Sequence, residues 1–171
     1  VYILMIFFLI SSGSSAKYAS ILSSRTGLPS YRVTEEYPAS ENIVFIGWKK
    51  GSKVIGLDSI DRHRLVALCV VGIDRTLDSK ALADELKISV PIYYLHGWID
   101  RKKISLPDKL MLCFVCVLMK LKGLDDSNAP VFDAVMNGGS FFNESDLDGI
   151  ARFLSQNLSK SNSVDATVSK T

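Results

Sequence analysis

A chain of 171 residues, 47% hydrophobic and 22% charged, has the size and composition of one globular domain able to fold without disulfides. Its net charge of +2 permits a polyanionic partner without demanding one, because strong nucleic-acid binders carry a clearer basic excess. Three cysteines, an odd number set in apolar runs, fit poorly with a secreted disulfide framework.

The chain begins at Val1 rather than Met, as expected of a fragment or a processed product. Residues 1–16 run from VYILMIFFLI into SSGSSA. An apolar run followed by the small residues Ser14 and Ala16 has the form of a secretory h-region and cleavage site, but no positive n-region precedes it. The preferred reading is a buried strand or helix of the core, since a membrane span needs about 20 apolar residues. The expected location is intracellular, with secretion as the alternative if residues 1–16 are a signal peptide. Two sequons, at Asn143 and Asn157, add little weight to that alternative.

Residues 17–158 read as a single, mainly helical domain. A helix is predicted over 14–24, stopped by Gly27, and residues 28–42 read as an irregular linker holding Pro29 and Pro38. Ile43–Ile46 and Val54–Leu57 flank Lys49-Lys50-Gly51-Ser52 and predict a β-hairpin near residues 43–57. Asp58 or Ser59 is expected to cap a helix reaching Val71 and ending at Gly72, and Asp78 or Ser79 to cap the next. Leu106 to Gly123 is the plainest helix. Its apolar centre, Leu110 to Met119, predicts burial on every side. Short helices follow over 130–137 and from Asn143 or Ser145 to Leu158, and residues 159–171 read as a disordered tail. The fold class expected is therefore mainly α, with five to six helices and one hairpin.

Residues 77–104 have the outline of a helix-turn-helix. Leu82, Ala83 and Leu86 face inward, the turn lies at Lys87-Ile88-Ser89, and a second helix would start near Ser89. His96 and Gly97 fall where that second helix needs apolar, helix-forming residues, and its outer face lacks base-reading side chains. A structural helical hairpin is the preferred reading, and Val90 to Leu95 equally fits a strand.

Basic clusters offer a second route to a polyanion. Lys49, Lys50 and Lys53 sit at the hairpin tip, Arg62 and Arg64 flank His63, and Arg101, Lys102 and Lys103 follow Trp98. Brought together they would neutralise phosphates, with Trp48 and Trp98 stacking on bases. Taken singly, each reads as a solvated charged edge. Cys113-Phe114-Val115-Cys116 spells CxxC, but it lies mid-helix in an apolar run, where thiols pack rather than react. No zinc spacing, phosphate loop, nucleophile elbow or dinucleotide fingerprint occurs, so no metal, no cofactor and no catalysis are expected.

The sequence thus predicts a non-enzymatic nucleic-acid-binding or assembly protein, RNA preferred over DNA and nucleocapsid-like, with self-association open and no membrane span. A helix-turn-helix DNA binder and a protein-interaction module are the alternatives.

Overall fold

The computed structural model describes residues 6–10, 13–74, 77–100, 102, 105–126 and 128–168. Its centre is a parallel sheet, not a helical bundle. Strands β1 (Ile6–Ile10), β2 (Ser30–Arg32), β3 (Asn42–Lys50), β4 (Leu65–Gly72) and β5 (Ile92–His96) lie side by side in the order β2-β1-β3-β4-β5. All four pairings along that order are parallel, with Ile10 level with Ile46, and Ile46 level with Cys69. A short antiparallel return at Lys53–Val54 folds back on the end of β3. The expected hairpin therefore exists, but it is the small tip of a strand whose main partners are β1 and β4.

Among the described residues there are five α-helices, α1 (Gly13–Thr26), α2 (Ser79–Leu86), α3 (Leu106–Lys122), α4 (Ala129–Asn137) and α5 (Asp148–Val168), with a short antiparallel pairing of Trp98–Ile99 with Gly139–Ser140. Parallel neighbours need crossovers, and helices supply them on both faces. Along each strand the side chains alternate. Phe8, Ile10, Val44, Ile46, Cys69 and Val71 pack against Tyr18, Ala19 and Leu22 of α1 and Ile150 and Leu154 of α5. Phe7, Leu9, Ile43, Phe45, Leu68 and Val70 pack on the other face against Leu82 of α2 and the 3-10 turn carrying Leu57. A doubly wound α/β domain is the result, and the mainly α expectation is overturned.

Two predicted helices are strands. Leu65–Gly72, expected to be helical, is the interior strand β4, and all its residues but Val66 are buried. Ile92–His96, placed in the second helix of a helix-turn-helix, is β5, hydrogen-bonded in register to Leu68–Gly72. No helix-turn-helix forms there. Within the supposed linker, Ser30–Arg32 is the edge strand β2. The helices α1 to α4 fall where expected, with Asp78 capping α2 by accepting from the Ala81 amide and Ser105 capping α3 by accepting from that of Asp108. Helix α5 continues past Leu158 to Val168.

Helix α3 departs most from expectation. Only its Cys116 is fully buried, in a small third core with Ile99 and Val135. Among the described residues, no helix is long and apolar enough to cross a membrane.

Candidate functional site

The strand order, 2-1-3-4-5 when the five parallel strands are counted along the chain, reverses direction at β1. After β1 the chain crosses by α1 to β2, on one side. After β3 it proceeds through β4 to β5, on the other. The crossovers leave opposite faces, so the carboxyl ends of β1 and β3 are the topological switch point of the sheet, where the chain order predicts a crevice. Open α/β sheets bind ligands at such a switch point, and this order, shared by flavodoxin-like sheets, follows the same rule.

The residues at that crevice have a definite chemistry. Helix α1 starts at Gly13, so its amino end, the positive end of the helix dipole, stands at the carboxyl edge of the sheet. Ser15, in the first turn, shares the sheet-facing side of α1 with Tyr18, Ala19 and Leu22 and is 0% exposed. Its hydroxyl has no hydrogen-bond partner among the described residues. A buried hydroxyl of this kind costs about 1–3 kcal/mol unless something else bonds to it.

Around the same edge the structure gathers aromatic groups. Beyond Ile46 the strand β3 continues through Gly47 and Trp48, paired with Val70 and Val71 of β4. The Trp48 ring lies against Gly97, so closely that a methyl at Gly97 would stand 2.5 Å from its Cζ3. Trp98, next in the chain, lies edge-on to Phe142 with ring centroids 6.0 Å apart. Lys17 of α1 sits 3.8 Å from the Phe142 centroid and 5.7 Å from that of Trp98. Tyr18 donates its hydroxyl proton to the His96 carbonyl and binds the first turns of α1 to the end of β5. Asp146 accepts from the His96 amide and meets His96 Nδ1, both at 2.8 Å. Burial pushes the Tyr18 phenol up to about 12, against the opposing Asn143 amide and with help from the Asp146 carboxylate.

The basic residues singled out in the sequence are divided between two ends of the sheet. Lys49 and Lys50 are at the end of β3 and Lys53 is on the return strand, all at the carboxyl edge. Arg62 and Arg64 are in the 3-10 turn before β4, at the amino edge. Arg64 donates to the carbonyls of Pro38 and Glu41, just ahead of β3, so the length of that strand, about 25 Å, separates it from Lys49. Several are committed to internal partners: Lys49 to Asp74 at 2.9 Å, Lys50 to Asp108, and Arg62 to Asp58 at 2.6 Å. Lys102 is exposed. Arg101 and Lys103 lie outside the described residues. The structure brings Trp48 and Trp98 to one edge but does not bring the basic clusters to one face. A shallow cleft of about 350 Å³ beside Lys49 is lined by Asp74, Asp78 and Glu85, an acidic set unsuited to phosphate. Among the described residues no group of His, Cys, Asp and Glu could hold a metal ion.

Comparison with protein-family models, curated proteins and solved structures finds no match for this chain. The candidate site therefore rests on its own geometry. Sequence reasoning missed Ser15 and its neighbours because SSGSSA has the look of a cleavage site. The available signal was a short apolar run followed within two residues by a Ser/Gly-rich helix start.

Proposed function

We propose that the chain binds a phosphate-bearing mononucleotide, with flavin mononucleotide as the leading candidate, in the crevice between β1 and β3. The observation that carries this reading is the unpartnered, fully buried Ser15 hydroxyl in the first turn of a helix that starts at the sheet's switch point. The phosphate would accept hydrogen bonds from amides at the start of α1 and from the Ser15 hydroxyl. Trp48 and Trp98, both half-buried at the same edge, would stack on a planar ring system. When bound, a flavin supplies electron-transfer chemistry; the chain's own residues bind, orient and shield it.

A nucleic-acid partner is the weaker proposal. It needs the basic clusters on one face, and Arg62 and Arg64 stand at the far edge from Lys49 and Lys50.

Titration of the full chain with flavin mononucleotide, riboflavin and inorganic phosphate, read by flavin fluorescence and calorimetry, tests the reading. Flavin mononucleotide is expected to bind with quenching, riboflavin about tenfold or more weakly, because it lacks the group that α1 recognises. Failure of both flavin mononucleotide and phosphate to bind overturns the proposal. Salt-sensitive binding of RNA in its place would establish the alternative.

A further inference from the structure

Helix α3 buries one narrow side and presents the rest to solvent. Cys116 is buried and Leu112 half-buried, against Ile99, Val131, Phe132 and Val135. Opposite them, Leu106, Leu110, Phe114, Val117, Leu118 and Leu121 form a continuous exposed stripe along the helix, with Leu121 at 78% and Phe114 at 63%. Single exposed leucines need no explanation, but an unbroken apolar helix face does. The charges on this helix are also ordered. On a helical projection Lys109 and Lys120 border the stripe on one side, the Lys120 ammonium 5.3 Å from the Phe132 ring, and Lys122 lies in its other margin between the exposed Met111 and Val115. The helix carries one acid, Asp108, and that carboxylate is engaged by Lys50 and by the Ser105 hydroxyl.

We infer that α3 is a membrane-surface element that docks on anionic lipid, lying in the plane of the interface. An apolar stripe bordered by lysines is the pattern of an interfacial helix: apolar groups enter the acyl boundary, and lysine stems reach back so that ammonium groups meet phosphate headgroups. Its 17 residues are too short for a span of about 20, so the helix lies on the surface rather than crossing it. A second copy of the chain fits less well. The exposed arc is wider than the two-position seam of a helix pair, and its borders carry lysine without the alternating acids that such pairs use. Two such faces brought together would set like charges opposite one another, whereas an anionic lipid surface complements both borders. This inference is independent of the mononucleotide reading: it rests on α3 alone.

The test is co-sedimentation of the full chain with vesicles of phosphatidylcholine containing phosphatidylglycerol, and with vesicles of phosphatidylcholine alone. Binding is expected only to the anionic vesicles, weakened by salt and lowered roughly fivefold for each of Lys109, Lys120 and Lys122 changed to Gln. Phe114→Asp is expected to lower it about tenfold or more. The Phe114 side chain is exposed, so circular dichroism and thermal unfolding should match the unaltered chain and separate lost docking from lost folding. No binding to anionic vesicles, or binding that Phe114→Asp leaves unchanged, overturns the inference. A lipid-free dimer that Phe114→Asp dissociates, seen by light scattering, would give the face to a second copy instead.

Discussion

The hydroxyl of Tyr18, in the second turn of α1, donates to the backbone carbonyl of His96 at the end of β5, 78 residues further along the chain. The same oxygen accepts from the Asn143 amide at 3.4 Å. One buried phenol thus joins the helix that opens the switch-point crevice, the strand at the far end of the sheet, and the loop leading to α5. Tyr18→Phe keeps the ring packed on Phe142 and removes only this junction. It should cost about 1–3 kcal/mol, because the buried carbonyl and amide lose their partner. Urea unfolding of the two proteins measures the difference; equal midpoints would mean that water replaces the phenol.

The same residue sets a pH dependence. Its folded-state pKa is pushed up from 10.0 to about 12, chiefly by burial. Burial also raises Tyr94, with Asp74 adding to the effect, and raises the Cys69 thiol above its ordinary 9.0. In the unfolded chain these groups release protons first. The folded state then holds more protons, so stability falls as pH rises. It should be fully present below about pH 9 and decline steadily toward about pH 12. Unfolding midpoints followed across that range should slope downward, and less steeply in Tyr18→Phe.

Ser15→Ala makes two effects move in opposite directions. In the ligand-free chain the hydroxyl is buried without a partner among the described residues, so its removal should leave stability unchanged or raise it by about 1 kcal/mol. Affinity for flavin mononucleotide should fall about tenfold or more, since a hydrogen bond to a charged phosphate is lost. Paired thermal unfolding and titration read both. A loss of stability with unchanged affinity would make Ser15 a packing residue and remove it from the site.

The helices were legible because their signals are local. Asp78 caps as expected, and Gly123 and Gly138 stop their helices at positive φ, where glycine carries no Cβ penalty; the cap of α3 is Ser105, which the sequence reading did not single out. The sheet was illegible for a physical reason. A strand buried on both faces, such as LVALCVVG, shows no alternation, and its apolar run has the same appearance as a buried helix. Composition misled in the opposite sense at α3, where an apolar sequence implied burial. What buries a helix is a surface to cover it, and Ile99 with α4 covers only the side of Cys116. Of the candidate site, Trp48 and Trp98 could be singled out from the sequence as aromatic residues near the β3 and β5 ends. Their meeting at one edge depends on the parallel order of β3, β4 and β5, which no local pattern carries.

That meeting hinges on Gly97. The residue follows β5 directly; its amide donates to the Gly72 carbonyl at 2.7 Å and its carbonyl accepts from the Phe141 amide at 2.9 Å, so the backbone is held on both sides. An added methyl would meet Cζ3 of Trp48 at 2.5 Å and Cγ1 of Val71 at 3.0 Å. Neither neighbour is a free chain end: Val71 is wholly buried in β4 and Trp48 packs on the same core. Gly97→Ala should therefore push the indole off its seat and cost about 1–3 kcal/mol by overpacking. If Trp48 is one face of the ring-binding platform, affinity for flavin mononucleotide and for riboflavin should fall together, while affinity for inorganic phosphate holds. That pattern separates the ring contact from the phosphate contact tested at Ser15. Tryptophan emission, unfolding midpoints and the three titrations measure it; unaltered flavin affinity beside a shifted Trp48 emission would exclude the indole from the site.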